Sequence, residues 1–292
     1  MIKKQVHEMQ ALELALKHIQ ECAEIPSFSS YEERLHPYIG MLARTTTGVR
    51  EIDVPGNNRI ITVPGNHNRK PVALTAHLDK INHYGSSYPK RLPVEITEDH
   101  IEGAMDNCVG LGILLTIMQL SKKYDFPPLY LFMSEMEESY GLRKHPELLK
   151  NKGKNRSHGM GARRISDALL KIGHIPAVII TVDTTPLFKG RPGVALYSEH
   201  WEYHDNDPTP EHREHTQQIV NHFSKIYPAL YLANNTNDYL IYGEAFNKSG
   251  KYSVPSVALE PSIHPYHQKG ERVFISDIQQ VLDILIRFLE SG

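Results

Sequence analysis

Three runs in this chain, VALTAHLD (72–79), LYLFMSEMEE (129–138) and VIITVD (178–183), are apolar almost throughout and then end in acids. A strand apolar on both faces belongs inside a parallel sheet covered by helices, because a sheet face open to water shows polar residues at alternate positions. Helical patterns separate the runs, at 108–124, at GARRISDALLKIG before residue 174, and at 210–227. Further helices are expected at 8–24 and at 31–46, the latter opened by the Ser-rich cap SSYEE, and one from SDIQQVLDILIRFLES at the chain's end. YSVPSVALEP reads as one more, broken, strand. Strands alternating with helices predict an α/β fold, three layers deep, with a mostly parallel mixed sheet between two helical layers. No repeat or linker divides the 292 residues, so one catalytic-sized domain is expected over 1–292. Its only excursion is the basic, Gly-rich stretch 143–164, expected to be mobile.

Composition narrows the function classes. A net charge of −2 gives no bulk field for nucleic acid or an anionic membrane surface. No apolar stretch approaches the ~20 residues of a membrane helix. The N-terminal segment carries Glu8 and Glu13 and reads as an amphipathic helix, not a signal peptide. With only Cys22 and Cys108, no disulfide framework is expected, and a cytoplasmic location follows as the natural expectation. Histidines crowd the polar stretch EHWEYHDNDPTPEHREH (199–215), which is set aside as a solvated loop.

The strand ends carry the chemistry. Ligands of open parallel sheets bind outside the carboxyl ends of the strands. His77 and Asp79 stand there, as do Glu137 and Glu138, and Asp183; His264 and His267 follow the strand ending at Pro261. Asp106 precedes the helix that begins near Cys108, a position at which a lone Asp is usually an N-cap. No Arg or Lys is interleaved among these positions, so the carboxylates would repel one another unless a cation sits among them. Imidazole and carboxylate together suit zinc, with cobalt or manganese in its place, and five such ligands with one bridging carboxylate suit a metal pair. Asp79, two residues after His77, is placed to accept the second ring N–H of that histidine and fix its tautomer.

In order along the chain, AHLD, GAMDNCVG, EMEESYGLR, TVDTT and IHPYHQKGE resemble the motifs of the dinuclear zinc exopeptidases. The likeness extends to IPSFSSYEERLHPYI near the N-terminus and so covers nearly the whole chain. It implies that Asp106 bridges two metals, that His77 and Asp183 complete one site and Glu138 and His267 the other, and that Glu137 is the general base. His267 is preferred to His264 because HQKGERVFISDI resembles the family's spacing from ligand His to a following acid and final helix. The stretches between Asp79 and Asp106 and between Asp183 and His267 are too short for the inserted dimerisation or lid domains of other branches. The chain therefore resembles the single-domain leucyl-type aminopeptidases, although DNCVG and EESYGLR look like the glutamyl branch. The implied substrate is a peptide or amino-acid amide, and the implied state a monomer or small homo-oligomer. The rivals are an N-acyl amino acid deacylase, a dipeptidase or carboxypeptidase, a single-zinc glutaminyl cyclase, and a metal-stabilised binding protein without catalysis.

Overall fold

The structure is a computed structural model and describes residues 2–202 and 207–291. Its strands are β1 (Arg50–Ile52), β2 (Arg59–Val63), β3 (Val72–His77), β4 (Glu95–Ile96), β5 (His100–Gly103), β6 (Leu129–Ser134), β7 (Val178–Val182), β8 (Val194–Tyr197), β9 (Tyr231–Ala233), β10 (Ser256–Pro261), β11 (Ile263–His264) and β12 (Glu271–Phe274). Its helices are α1 (Ile2–Glu24), α2 (His36–Thr45), α3 (Cys108–Leu120), α4 (Ser139–Lys144), α5 (Met160–Ile172), α6 (Pro210–Ile226), α7 (Asp238–Asn247) and α8 (Ile275–Ser291).

Eight strands form one sheet in the order β1-β2-β6-β3-β7-β10-β8-β9. The central four, β6, β3, β7 and β10, run parallel, and β1, β2 and β8 are joined to their inner neighbours antiparallel. Alternation along each strand divides the side chains between two cores. Leu129, Leu131 and Met133 meet α1, α3 and α8, whereas Phe132, Ala73 and Ile179 meet Ile165 of α5 and Tyr242 of α7. The result is the expected three-layer α/β/α fold with a mostly parallel mixed sheet. A second, antiparallel sheet, β11-β12-β5-β4, lies beside the first. No helix among the described residues is long and apolar enough to cross a membrane.

The parallel core strands come out as the sequence predicts, but the edges do not. β1, β8 and β9 are short antiparallel or outer strands whose three or four residues carry too little pattern to be recognised. SSYEE is not a helix cap. Ser29 and Ser30 are buried, Ser29 donating to Asp79; a 3-10 turn covers Glu32–Leu35, and α2 follows it at His36 with Pro37 in its first turn. The fixed φ of Pro37 and its missing N–H suit a helix start better than the interior position that an earlier start would give it.

Close approaches are concentrated where α3 enters beneath the site. A Cβ on Gly110 would lie 2.1 Å from the carbonyl of Val182, the residue before Asp183, so only glycine lets the helix start meet the end of β7. Cys22 and Cys108 are both buried free thiols.

Candidate metal centre

β3, β6 and β7 are neighbours in register, so His77, the Glu137–Glu138 loop and Asp183 emerge side by side at one sheet edge. Asp106 arrives from α3. The helix cap is its neighbour Asn107, whose Oδ1 accepts from the Gly110 N–H at 2.9 Å while its amide donates to the Val182 carbonyl at 2.8 Å. Asp106 is thereby free of the capping role and faces His77 and His267. The Asp106–Asn107 peptide is cis.

The carboxylate of Asp106 has two faces. Its Oδ1 lies 3.2 Å from Nε2 of His77, and its Oδ2 lies 3.4 Å from Nε2 of His267. Asp183 stands 3.7 Å from the same nitrogen of His77, and Glu138 stands 3.5 Å from that of His267. Two triads result, His77–Asp106–Asp183 and Asp106–Glu138–His267, each with its ligand-type atoms within 4.8 Å of one another. His77, Glu137 and Glu138 form a third such group. Oε1 of Glu138 is buried without a hydrogen-bond partner, an expensive condition for a carboxylate that nothing coordinates. Nitrogen and oxygen donors arranged about one shared carboxylate fit a pair of borderline or hard dications, so the residues present suit the implied group.

His264 takes no part in these triads. It is exposed on β11, and its ring lies over Gly190, where an added Cβ would meet it at 3.2 Å. His267 is held at φ 55°, a left-handed conformation uncommon for a non-glycine residue, and its N–H donates to Glu271 at 3.1 Å.

Without a cation the charges conflict. Burial raises the carboxyls of Glu137, Glu138 and Asp183 well above the usual range, and acidic neighbours push further the same way. Burial alone would also raise Asp106, yet the imidazoles of His267 and His77 beside it outweigh that and hold it low. Burial pulls His77 down, but Asp106, Asp79, Asp183 and Glu137 together lift it well above its ordinary value. Positive charge from outside the chain would relieve this conflict.

Asp79 does more than the sequence reading assigned. Nδ1 of His77 bonds the backbone carbonyl of Asp79 at 3.0 Å, and the Asp79 carboxylate is 3.4 Å away. That carboxylate also accepts the N–H groups of Glu137 and Glu138 at 3.0 and 3.1 Å, and the hydroxyl of Ser29 at 2.7 Å. It clamps the loop that carries both glutamates. Asp79→Ala is expected to keep the fold while lowering kcat or metal affinity by about 10–100-fold, measured by steady-state kinetics and metal content.

Glu135, the first of the three clustered acids, points elsewhere. It is fully buried and meets the guanidinium of Arg156 at 3.1 Å, that of Arg164, the Asn57 N–H and the Asn58 amide. Two of these partners come from the 143–164 stretch, which is thus fastened to the acid loop. Truncating one member strands buried polar partners, so Glu135→Ala should cost about 3–5 kcal/mol in urea unfolding. Metal content per folded chain should be unchanged.

Sequence reasoning missed three buried acids around the centre. Glu271 accepts from Met105, Asp106 and His267, tying two ligand segments together, and burial lifts its pKa to about 8. Asp238 at the start of α7 accepts from Ser134 at 2.6 Å, and Glu260 on β10 accepts from Asn237. An acid inside the apolar run SVALEP was the available signal for Glu260, because unpaired acids are almost never fully buried. In the His-rich stretch, His200 and His212 bond one another through Nε2 at 2.7 Å, and no three-residue ligand group forms there among the described residues. His204 of that stretch lies outside the described residues.

No protein-family model and no curated protein matches the chain. Solved structures do match it in fold. An aminopeptidase from the archaeon Desulfurococcus kamchatkensis superposes with a TM-score of 0.63 at 12% identity, over 98% of this chain and 96% of that one. A tripeptidase from Staphylococcus aureus gives 0.64 at 13%, over 96% and 98%. A peptidase of Pyrococcus horikoshii, described as assembling into a tetrahedron or a large octahedral shell, gives 0.62 at 10%, over 95% and 100%. The chain shares the overall fold of these peptidases across nearly its full length.

Proposed function

We propose that this chain is a metal-dependent aminopeptidase that removes N-terminal residues from peptides at the centre just described. The observation that carries the reading is the two-sided carboxylate of Asp106, each oxygen turned toward a different imidazole and a different acid. In this reading His77, Asp106 and Asp183 hold one dication and Asp106, Glu138 and His267 the other; zinc is the first expectation, with cobalt or manganese able to substitute. The bound pair supplies Lewis acidity, lowering the pKa of the attacking water and stabilising the charge that develops on the scissile carbonyl.

The chain's own residues do the rest. Glu137 is the most open acid of the cluster, its side chain 13% exposed against 2% for Glu138. It lies beside the triads, with Oε2 3.9 Å from His77, and its elevated proton affinity suits it to accept the proton of the attacking water. It then returns that proton to the departing amine. Asp79 holds the Glu137 backbone, and Glu271 holds Asp106 and His267. We read residues 1–292 as one catalytic domain without lid or dimerisation domain, acting as a monomer or small homo-oligomer.

The test compares a leucine anilide with its N-acetylated form on metal-loaded enzyme. An aminopeptidase cleaves the free amine at least ~100-fold faster, because binding energy directed at the ammonium is lost on acylation. Preference for the acylated form would move the chain to the deacylase branch, and cleavage of neither these nor a glutamyl anilide nor a tripeptide would leave a metal-stabilised binding protein.

A further inference from the structure

Basic side chains border the loop that carries Glu137. A cavity of about 300 Å³ opens beside Glu137, lined among others by Arg143, Lys152, Arg156 and His158, and no carboxylate among the described residues lines it. It is joined to the reactive loop at two points. His158 donates through Nδ1 to the backbone carbonyl of Glu137, and the Gly159 N–H donates to Met136 at 2.8 Å.

Among the described residues, the positive charge of the cavity is only partly neutralised. Arg156 meets Glu135, but Arg164 meets the same carboxylate, so two guanidiniums share one acid and a positive charge is left over. Lys152 is held at φ 54° beside Asn151 at φ 55°, a conformation that non-glycine residues adopt at a cost. Exposed Arg and Lys heads around a concave wall suit a planar carboxylate, which guanidinium groups grip through paired N–H bonds.

Resting on the peptidase reading above, we infer that the cavity walled by Arg143, Lys152, Arg156 and His158 binds a carboxylate of the substrate close to the scissile bond. Two substrate groups have this chemistry: an acidic side chain, or the terminal carboxylate of a short peptide. The positive charge of the wall would attract either group.

Four substrates separate the cases on metal-loaded enzyme: a glutamyl anilide, a leucyl anilide, Leu-Gly-Gly and Leu-Gly-Gly amide. One anionic substrate should exceed its neutral counterpart by about tenfold or more in kcat/KM, chiefly through KM, and the advantage should shrink as salt rises. The glutamyl pair reports a side-chain site and the tripeptide pair a terminal-carboxylate site. Arg143→Glu with Lys152→Glu should bring the ratio near one; Arg156 is left intact because it also supports Glu135. Equal rates within both pairs, or a preference untouched by the double reversal, would overturn the carboxylate site and leave the peptidase reading standing. If none of the four is cleaved, the peptidase reading falls and the site with it.

Discussion

Glu137→Gln is expected to keep its metal and its fold while kcat falls by about 10²–10⁴-fold, the range set by removing a positioned general base. The amide is isosteric with the carboxylate and keeps the backbone N–H that Asp79 holds, so the loop should not move. What is lost is the ability to take a proton and give it back. KM should change little, because Glu137 belongs to neither Asp106 triad and contributes proton transfer more than ground-state binding. Unimpaired hydrolysis by this variant would show that another group accepts the proton.

Asp106→Ala should have the larger effect on metal. Asp106 is the one residue common to the two triads that lack Glu137, and each of its oxygens faces a different imidazole. Removing it opens both triads at once and leaves Glu138 and Asp183 facing each other with less positive charge between them. The variant is expected to bind less than one metal per chain and to show activity at background. His267→Ala touches only one of these triads and should retain about one. Metal analysis of the two variants side by side distinguishes a shared ligand from five independent ones. Equal losses would contradict the bridging role.

The meeting of the candidate ligands was legible because the fold makes it so. Strands such as VALTAH and VIITV announce themselves by being apolar on both faces, and where such a strand stops, the next polar side chain stands at the sheet edge. Register then does the assembly: β3 lies between β6 and β7, so the ends of three distant segments become neighbours. The supporting residues were not legible, since their partners are backbone groups brought from far along the chain. Glu271 acts on N–H groups of Met105 and Asp106, and Asp79 on those of Glu137 and Glu138. Glu135 shows the opposite failure. It stands two residues before Glu137, but Met136 at φ 61° breaks the extended run between them, and Glu135 meets Arg156 and Arg164. The serines before α2 looked like a cap for the same reason that caps are recognisable, and tertiary contact with Asp79 claimed one of them instead.

The most direct measurement is elemental analysis of the purified chain, paired with thermal unfolding before and after exhaustive chelation. The account predicts about two zinc, cobalt or manganese ions per chain, a lower Tm once they are stripped, and recovery when any of the three is returned. A chain that carries no such ion, takes none up, and melts at the same temperature with or without chelator would contradict it.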